Sequence, residues 1–208
     1  LGFYVTGHPL LSARLEVDHL STHSSSDLEN VRDDDLVTVC GIPAGVKRIN
    51  TRRGDQMAFL NLQDMDGSIE VTVRPEIWVR ERDLIESESI LVVQGRTSGR
   101  DDQVRVVADS IRDISNARRE MIRSMIIGFA VTPDADKRSY DLHQLIKNYP
   151  GRTAVTLRML FPAGPELESV TVDLGDEFRV DLVDHFLEKL TEIPDMEIIG
   201  YRNGSNGH

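Results

Sequence analysis

The sequence predicts a mainly β chain with an α+β end: a closed five-stranded barrel, then a small unit of order strand-helix-strand-strand-helix-strand. Three observations carry this reading. Between residues 36 and 114, five runs rich in β-branched and apolar residues follow one another, separated by turn-forming residues. Within these runs apolar and polar residues alternate with period two, the mark of a half-buried strand. One helical stretch stands between the third and fourth runs, which is the place where an OB-fold barrel carries its helix. Barrels of that kind bind oligonucleotides with a defined face and defined loops.

In order along the chain, residues 1–35 read as a connector. They hold a polar cluster at Ser21 to Ser26 and an acidic run at Asp33 to Asp35, with Leu28 and Val31 placed for a short helical turn. Such a segment is expected to pack on its neighbours. The barrel, residues 36–114, is built from Leu36 to Ile49, Met57 to Asp64, Ser68 to Arg74, Ile90 to Gly99 and Gln103 to Ile114. In the second run Ala58, Leu60 and Leu62 point one way, and Met57, Phe59, Asn61 and Gln63 the other. Ile69, Val71 and Val73 continue the apolar face, and Glu70, Thr72 and Arg74 the polar one. Asp64-Met65-Asp66-Gly67 joins the two runs, with a glycine free to take positive φ and aspartates able to bond the turn backbone. The helix runs from Pro75 to Ile85, and proline suits a first helical turn because its missing N–H is not needed there.

The third segment, residues 115–208, reads as an α+β partner-binding domain entered through the polar stretch Ser115 to Arg119. A strand is expected from about Ser124, where Ile126, Ile127, Phe129 and Val131 are bulky and Pro133 ends the run. Ser139 to Tyr149 has Leu142, Leu145, Ile146 and Tyr149 at helical spacing. Strands follow at Arg152 to Phe161 and Glu168 to Gly175. Asp181 to Leu190 is a helix with Leu182, Val183, Phe186, Leu187 and Leu190 on one side, and Met196 to Arg202 is the last strand. The terminal Asn203 to His208 is expected to be disordered.

Composition narrows the function classes. Hydrophobic residues make up 39% of 208, and no apolar run approaches the roughly 20 residues of a membrane helix. The chain opens on Leu1 without the features of a signal peptide, and reads as a segment of a longer protein. A single cysteine, Cys40, permits no internal disulfide, so a cytoplasmic setting is the default. The net charge of −11 argues against indiscriminate nucleic-acid binding. It is uneven: −5 over residues 1–35, −2 over 36–114 and −4 over 115–208. Within the near-neutral middle, Lys47, Arg48, Arg52 and Arg53 form an acid-free basic run.

No constellation in the sequence supports catalysis, a cofactor or a metal. Asp64 and Asp66 have the spacing of metal-binding aspartates but read as a hairpin turn. His19 and His23 are four apart with no third ligand near. Ser24 to Ser26 have no activating motif, and Cys40 sits in an apolar strand as a core residue. Binding is better supported. A barrel of this type stacks bases on aromatics of its second and third strands while cations follow the backbone. The candidate DNA-binding residues are therefore Phe59 and Arg74 on the outer face, with Lys47, Arg48, Arg52 and Arg53 in or beside the loop joining strands one and two. With a single aromatic on that face, binding to single-stranded DNA should be weak.

Beyond these readings the chain resembles the C-terminal region of the α subunit of bacterial replicative DNA polymerase III. The resemblance is carried by LGFYVTGHPL at the start, VTVCGIPAGVKRINTRRGDQMAFLNLQDMDGSIEVTVRPE through the barrel, ILVVQGRTSG, the IRDISNARRE linker and, more loosely, YPGRTAVTLRML and FRVDLVDHFLEKL. It departs from that family in the acidic connector and in PAGPELES. The resemblance implies that the catalytic palm and the sliding-clamp-binding segment lie upstream of this region. It also implies that the barrel contacts single-stranded template, and that the last domain binds the τ subunit of the clamp loader. The other polymerase domains are implied partners. A barrel that binds only protein, or an RNA- or anticodon-binding barrel, are the competing readings.

Overall fold

The computed structural model describes residues 9–100, 103–163 and 166–202. The first eight residues of the opening motif and the last six of the chain therefore lie outside the described residues. The chain divides into two compact units, one ending at Ala117 and the other starting at Arg118.

The first unit begins with two short helices, α1 (Pro9–Ser12) and α2 (Arg14–Leu20), and a 3₁₀ turn at Leu28–Asn30. The barrel follows as β1 (Leu36–Asn50), β2 (Gln56–Gln63), β3 (Ser68–Val73), helix α3 (Pro75–Ile85), β4 (Leu91–Arg100) and β5 (Gln103–Asp113). The strands close in the order β1-β2-β3-β5-β4, so no edge is left to pair with another chain. β1 serves both sides: Leu36–Gly41 pair with β4 and Ile42–Asn50 with β2. Gly41 stands at that change of partner, where a Cβ would sit 2.6 Å from the Gln63 carbonyl oxygen. A side chain there would force the two strands apart.

Alternation decides which residues enter the barrel. Ala58, Leu60, Leu62, Val71 and Val73 are fully buried, while Phe59, Asn61, Glu70 and Thr72 stay on the outside. Ile77, Trp78 and Ile85 of α3 join the same core from one side, and Leu28 of the 3₁₀ turn also belongs to it. Each such large apolar side chain contributes roughly 1.5–3 kcal/mol on burial. Trp78 keeps its indole N–H satisfied by donating to Gln56 Oε1 at 3.0 Å.

Residues before the barrel are bonded to it rather than hung from it. Thr22 N–H donates to the Thr38 carbonyl at 2.8 Å, and Thr38 N–H returns a bond to Thr22 Oγ1 at 2.8 Å. The acidic run is clipped to β4: Gly99 N–H donates to Asp33 Oδ1 at 2.8 Å, and Asp34 N–H to the Thr97 carbonyl at 2.9 Å.

The second unit contains β6 (Ser124–Ala130), α5 (Ala135–Asn148), β7 (Pro150–Ala163), β8 (Glu166–Asp173), α6 (Asp184–Thr191) and β9 (Met196–Arg202). Its sheet has the order β8-β7-β6-β9, with β6 and β7 parallel across the α5 crossover and the other pairs antiparallel. Leu142, Ile146 and Leu182, with Phe186 and Leu190 of α6 and Met125, Ile127 and Val155 of the sheet, are all buried in this unit. The strand ends shift by one or two residues from the sequence reading, and three differences are larger. α5 starts at Ala135, four residues before Ser139. α6 starts at Asp184, because Asp181 is still extended and donates its N–H to the Tyr149 carbonyl at 2.8 Å. And the stretch read as a polar link is helical, α4 (Ile114–Met121), started by Asp113, whose carboxylate accepts the Asn116 N–H at 2.8 Å.

Candidate nucleic-acid interface

The interface is laid out by strand register, since directly paired residues project on the same side of a sheet. Phe59 of β2 faces Lys47 of β1 on one flank and Thr72 of β3 on the other. The row continues to Val107 of β5, Arg96 of β4 and Leu36 of β1. One circuit of the barrel thus returns to the strand it began on at a different height, as a closed barrel with tilted strands requires. Phe59 is half-buried and Lys47 exposed. Arg74, two positions after Thr72, is exposed on the same side and precedes α3 in an extended conformation.

Between β1 and β2, Arg52 and Arg53 occupy a tight tip. Thr51 N–H donates to the Asp55 carbonyl at 2.8 Å and Gly54 N–H to the Thr51 carbonyl at 3.0 Å. Gly54 has φ of +90°, a conformation that side-chain-bearing residues rarely adopt. This geometry leaves both arginines exposed. The side chains of Lys47, Arg52, Arg53 and Arg74 make no ion pair or hydrogen bond with another described residue.

Arg48 behaves differently. It pairs with Ala58, whose side chain enters the barrel, so it lies on the opposite side of β1 from Lys47. Its guanidinium stands 5.5 Å from the Trp78 ring centroid and forms an ion pair with Glu86. The register therefore sets Lys47 beside Phe59, with Arg74 just past the end of β3 and Arg52 and Arg53 at the β1–β2 tip, and Arg48 is directed to α3. Two outer-face cations went unselected in the sequence, Arg96 and Arg105. Period-two alternation marks both. Each is occupied: Arg96 Nη1 donates to the Asp34 carbonyl at 3.0 Å, and Arg105 Nε lies 2.7 Å from Glu70 Oε1.

The residues weighed for catalysis or metal binding have other work. Asp64 is buried and its carboxylate accepts four hydrogen bonds, from Ser25 N–H at 2.6 Å, Ser25 Oγ at 2.7 Å, Asp66 N–H at 2.9 Å and Gly67 N–H at 2.7 Å. It builds the β2–β3 turn and fastens the preceding segment to it. Ser26 Oγ adds a bond to Asp66 Oδ2 at 3.2 Å. His19 lies in the last turn of α2, whereas His23 lies beyond that helix and is bonded to Thr22 Oγ1 at 2.8 Å. Burial pushes the Cys40 thiol up to about 12, which keeps it protonated and unreactive. Among the described residues no helix is long and apolar enough to cross a membrane.

Comparison with known proteins places this geometry. Residues 37–114 match the tRNA anti-codon family of OB-fold nucleic acid binding domains. Over 92% of its length the chain is 24% identical to DNA polymerase III subunit alpha of Pseudomonas fluorescens. It is 26% identical to the corresponding protein of Vibrio cholerae over 93% of its length, and 29% identical to that of Mycobacterium tuberculosis over 83%. It spans only 16% of the length of the Pseudomonas relative and 17% of that of the Vibrio one. The chain therefore resembles the bacterial polymerase III α subunit over most of its length, and its barrel has the OB fold.

Proposed function

We propose that this chain is a non-catalytic segment of a replicative DNA polymerase α subunit, and that its barrel holds single-stranded template. One observation carries the reading most: in a chain of net charge −11, Lys47, Arg52, Arg53 and Arg74, four cations without partners among the described residues, lie on or next to the strands that carry the only aromatic of the outer β2–β3 face. Unpaired cations near a half-exposed ring suit a ligand that has phosphates and flat bases. Phe59 stacks a base, Lys47 and Arg74 take the adjoining phosphates, and Arg52 and Arg53 extend the path over the β1–β2 tip.

Fluorescence titration of the whole chain with a labelled single-stranded oligonucleotide, at two salt concentrations, tests this. Binding that weakens with salt is expected. Absence of binding at low salt would favour the barrel as a protein-binding module. Because the matching domain family bears the name tRNA anti-codon, an RNA strand of the same sequence belongs in the titration. Clear preference for it would assign the barrel to RNA.

The second unit serves protein rather than nucleic acid in this proposal, and the clamp-loader τ subunit is the partner implied by the polymerase resemblance. The supporting surface is apolar: Val170 and Val172 on the edge strand β8 are 48% and 37% exposed. Val170→Asp with Val172→Asp should abolish τ capture while DNA binding persists. Unchanged capture would remove this surface from the assignment.

A further inference from the structure

We infer that the barrel carries a second subsite, next to Phe59, that reads the edge of a base and favours one bearing an exocyclic amino group. The inference rests on the single-strand reading above and goes beyond it to sequence preference.

The site lies one step along the same strands. Below the Phe59 row, the next outer-face row is Gly45, Asn61, Glu70, Arg105 and Ser98. Asn61 and Glu70 face each other directly, and the space beside Gly45 is open, with nothing within 4 Å of where its Cβ would stand. A groove of about 720 Å³ opens here, lined by Ser25, Leu28, Glu29, Asn61, Glu70 and Val104 among others. Its floor is apolar, since Leu28 is buried in the barrel core and Val104 packs against it. Its rim is polar, formed by an amide, two hydroxyls and two carboxylates. An apolar floor with polar edges matches a heterocyclic base, which has flat faces and hydrogen-bonding edges.

Charge sets the orientation. None of the described residues lining this groove is a cation, and the unpaired carboxylate of Glu29 would repel a phosphate. The partner-free cations stand on the Phe59 row and at the hairpin tip instead. The backbone of a bound strand is therefore drawn to Lys47, Arg74 and the tip, and a base is turned toward Asn61. Arg105 Nε lies 2.7 Å from Glu70 Oε1, an ion pair that leaves the carboxylate's other oxygen as an acceptor. Carboxylates accept from the cytosine N4 amino group. Thymine presents a carbonyl oxygen at that position, and two acceptors would then meet.

The test compares uniform dC and dT oligonucleotides of equal length at pH 8, binding to the whole chain. The two are both pyrimidines, so stacking differs little. The dC strand should bind at least about fivefold more tightly, the low end of what one well-formed base-edge contact discriminates. Glu70→Gln supplies a donor as well as an acceptor and should bring the ratio close to one. Because that variant also releases Arg105, the ratio and not the affinity is read. Glu29→Gln leaves the Glu70–Arg105 pair intact and should lower the ratio partially. Equal binding of dC and dT to the parent, or a ratio unmoved by both variants, overturns the subsite while leaving the strand-binding reading standing. No binding of either strand overturns that reading and the subsite with it.

Discussion

Four arginines of the second unit are used in the opposite way to three on the barrel. On the barrel, Arg52, Arg53 and Arg74 are exposed and without partners among the described residues, together with Lys47. In the second unit, Arg118, Arg119, Arg138 and Arg179 are all bonded within the unit. Arg138 is the extreme case. Only 4% exposed, it donates to the Ala130 and Pro194 carbonyls and to Asp195 Oδ2 at 2.7 Å, and its guanidinium lies 5.1 Å from the Phe129 ring centroid. Asp195 there takes a positive φ of 56°. A cation so placed holds its own fold, whereas a cation left in water beside an aromatic ring is available to something else. Counting basic residues along the sequence cannot separate these uses; the partners do.

The largest effect should come from breaking the structural arginine. Arg138→Ala leaves buried carbonyls without their donor, and should cost about 2–4 kcal/mol of stability in the second unit. Lysine, lacking the planar fork, should restore little. Urea denaturation followed by hydrogen exchange would locate the loss, and an equal loss of protection in the barrel would break the contrast. The corresponding tie in the barrel unit is a carboxylate. Asp64→Ala removes four hydrogen bonds and should cost about 2 kcal/mol, loosening residues 20–30 first.

Ligand contacts should behave in the other way. Phe59→Ala should weaken single-strand binding by about 1–3 kcal/mol with little change in salt dependence, because stacking releases no counterions. Arg48→Ala should do the reverse of a contact mutation. It should lower barrel stability by roughly 0.5–1 kcal/mol through the lost Trp78 contact and an exposed ion pair, and leave DNA affinity almost unchanged.

The smallest expected effect concerns acid stability. Arg119 donates to both Asp181 oxygens, at 2.7 and 2.6 Å, and holds that carboxyl below the usual carboxylate range. A folded value below the unfolded one gives stability that is complete above about pH 4 and fades as the pH falls through the folded value. Asp181→Asn should therefore lose stability at neutral pH and show a flatter acid limb in the second unit.

Much of the barrel was legible because its strands alternate cleanly and its turns carry their own chemistry: Asp64 to Gly67 at one hairpin, Pro75 at the helix start. The face of Phe59 and Arg74 followed from the same alternation. Arg48 did not, although its parity is visible. Val46 enters the barrel, so Arg48 must turn with it, but the register shift between Pro43 and Gly45 hides the phase of β1 from a reader counting along the sequence. Helix α4 was obscured for a different reason. Its buried face includes Ala117 and Arg118, and a buried arginine reads in sequence as surface. The early start of α5 has the same origin, since Arg138 in its first turns is core rather than solvent-facing.

The central claim is that partner-free cations, and not basic residues in general, carry the strand. It is tested most directly by the salt dependence of single-stranded DNA binding in the parent, an Arg52→Ala/Arg53→Ala variant and Arg48→Ala. Each phosphate contact contributes about −0.7 to the log–log slope. With contacts from Lys47, Arg52, Arg53 and Arg74 the parent slope should be roughly −3. The double variant should flatten it by about 1.4, and Arg48→Ala should leave it unchanged. A slope that moves with Arg48 and not with Arg52 and Arg53 would contradict the assignment.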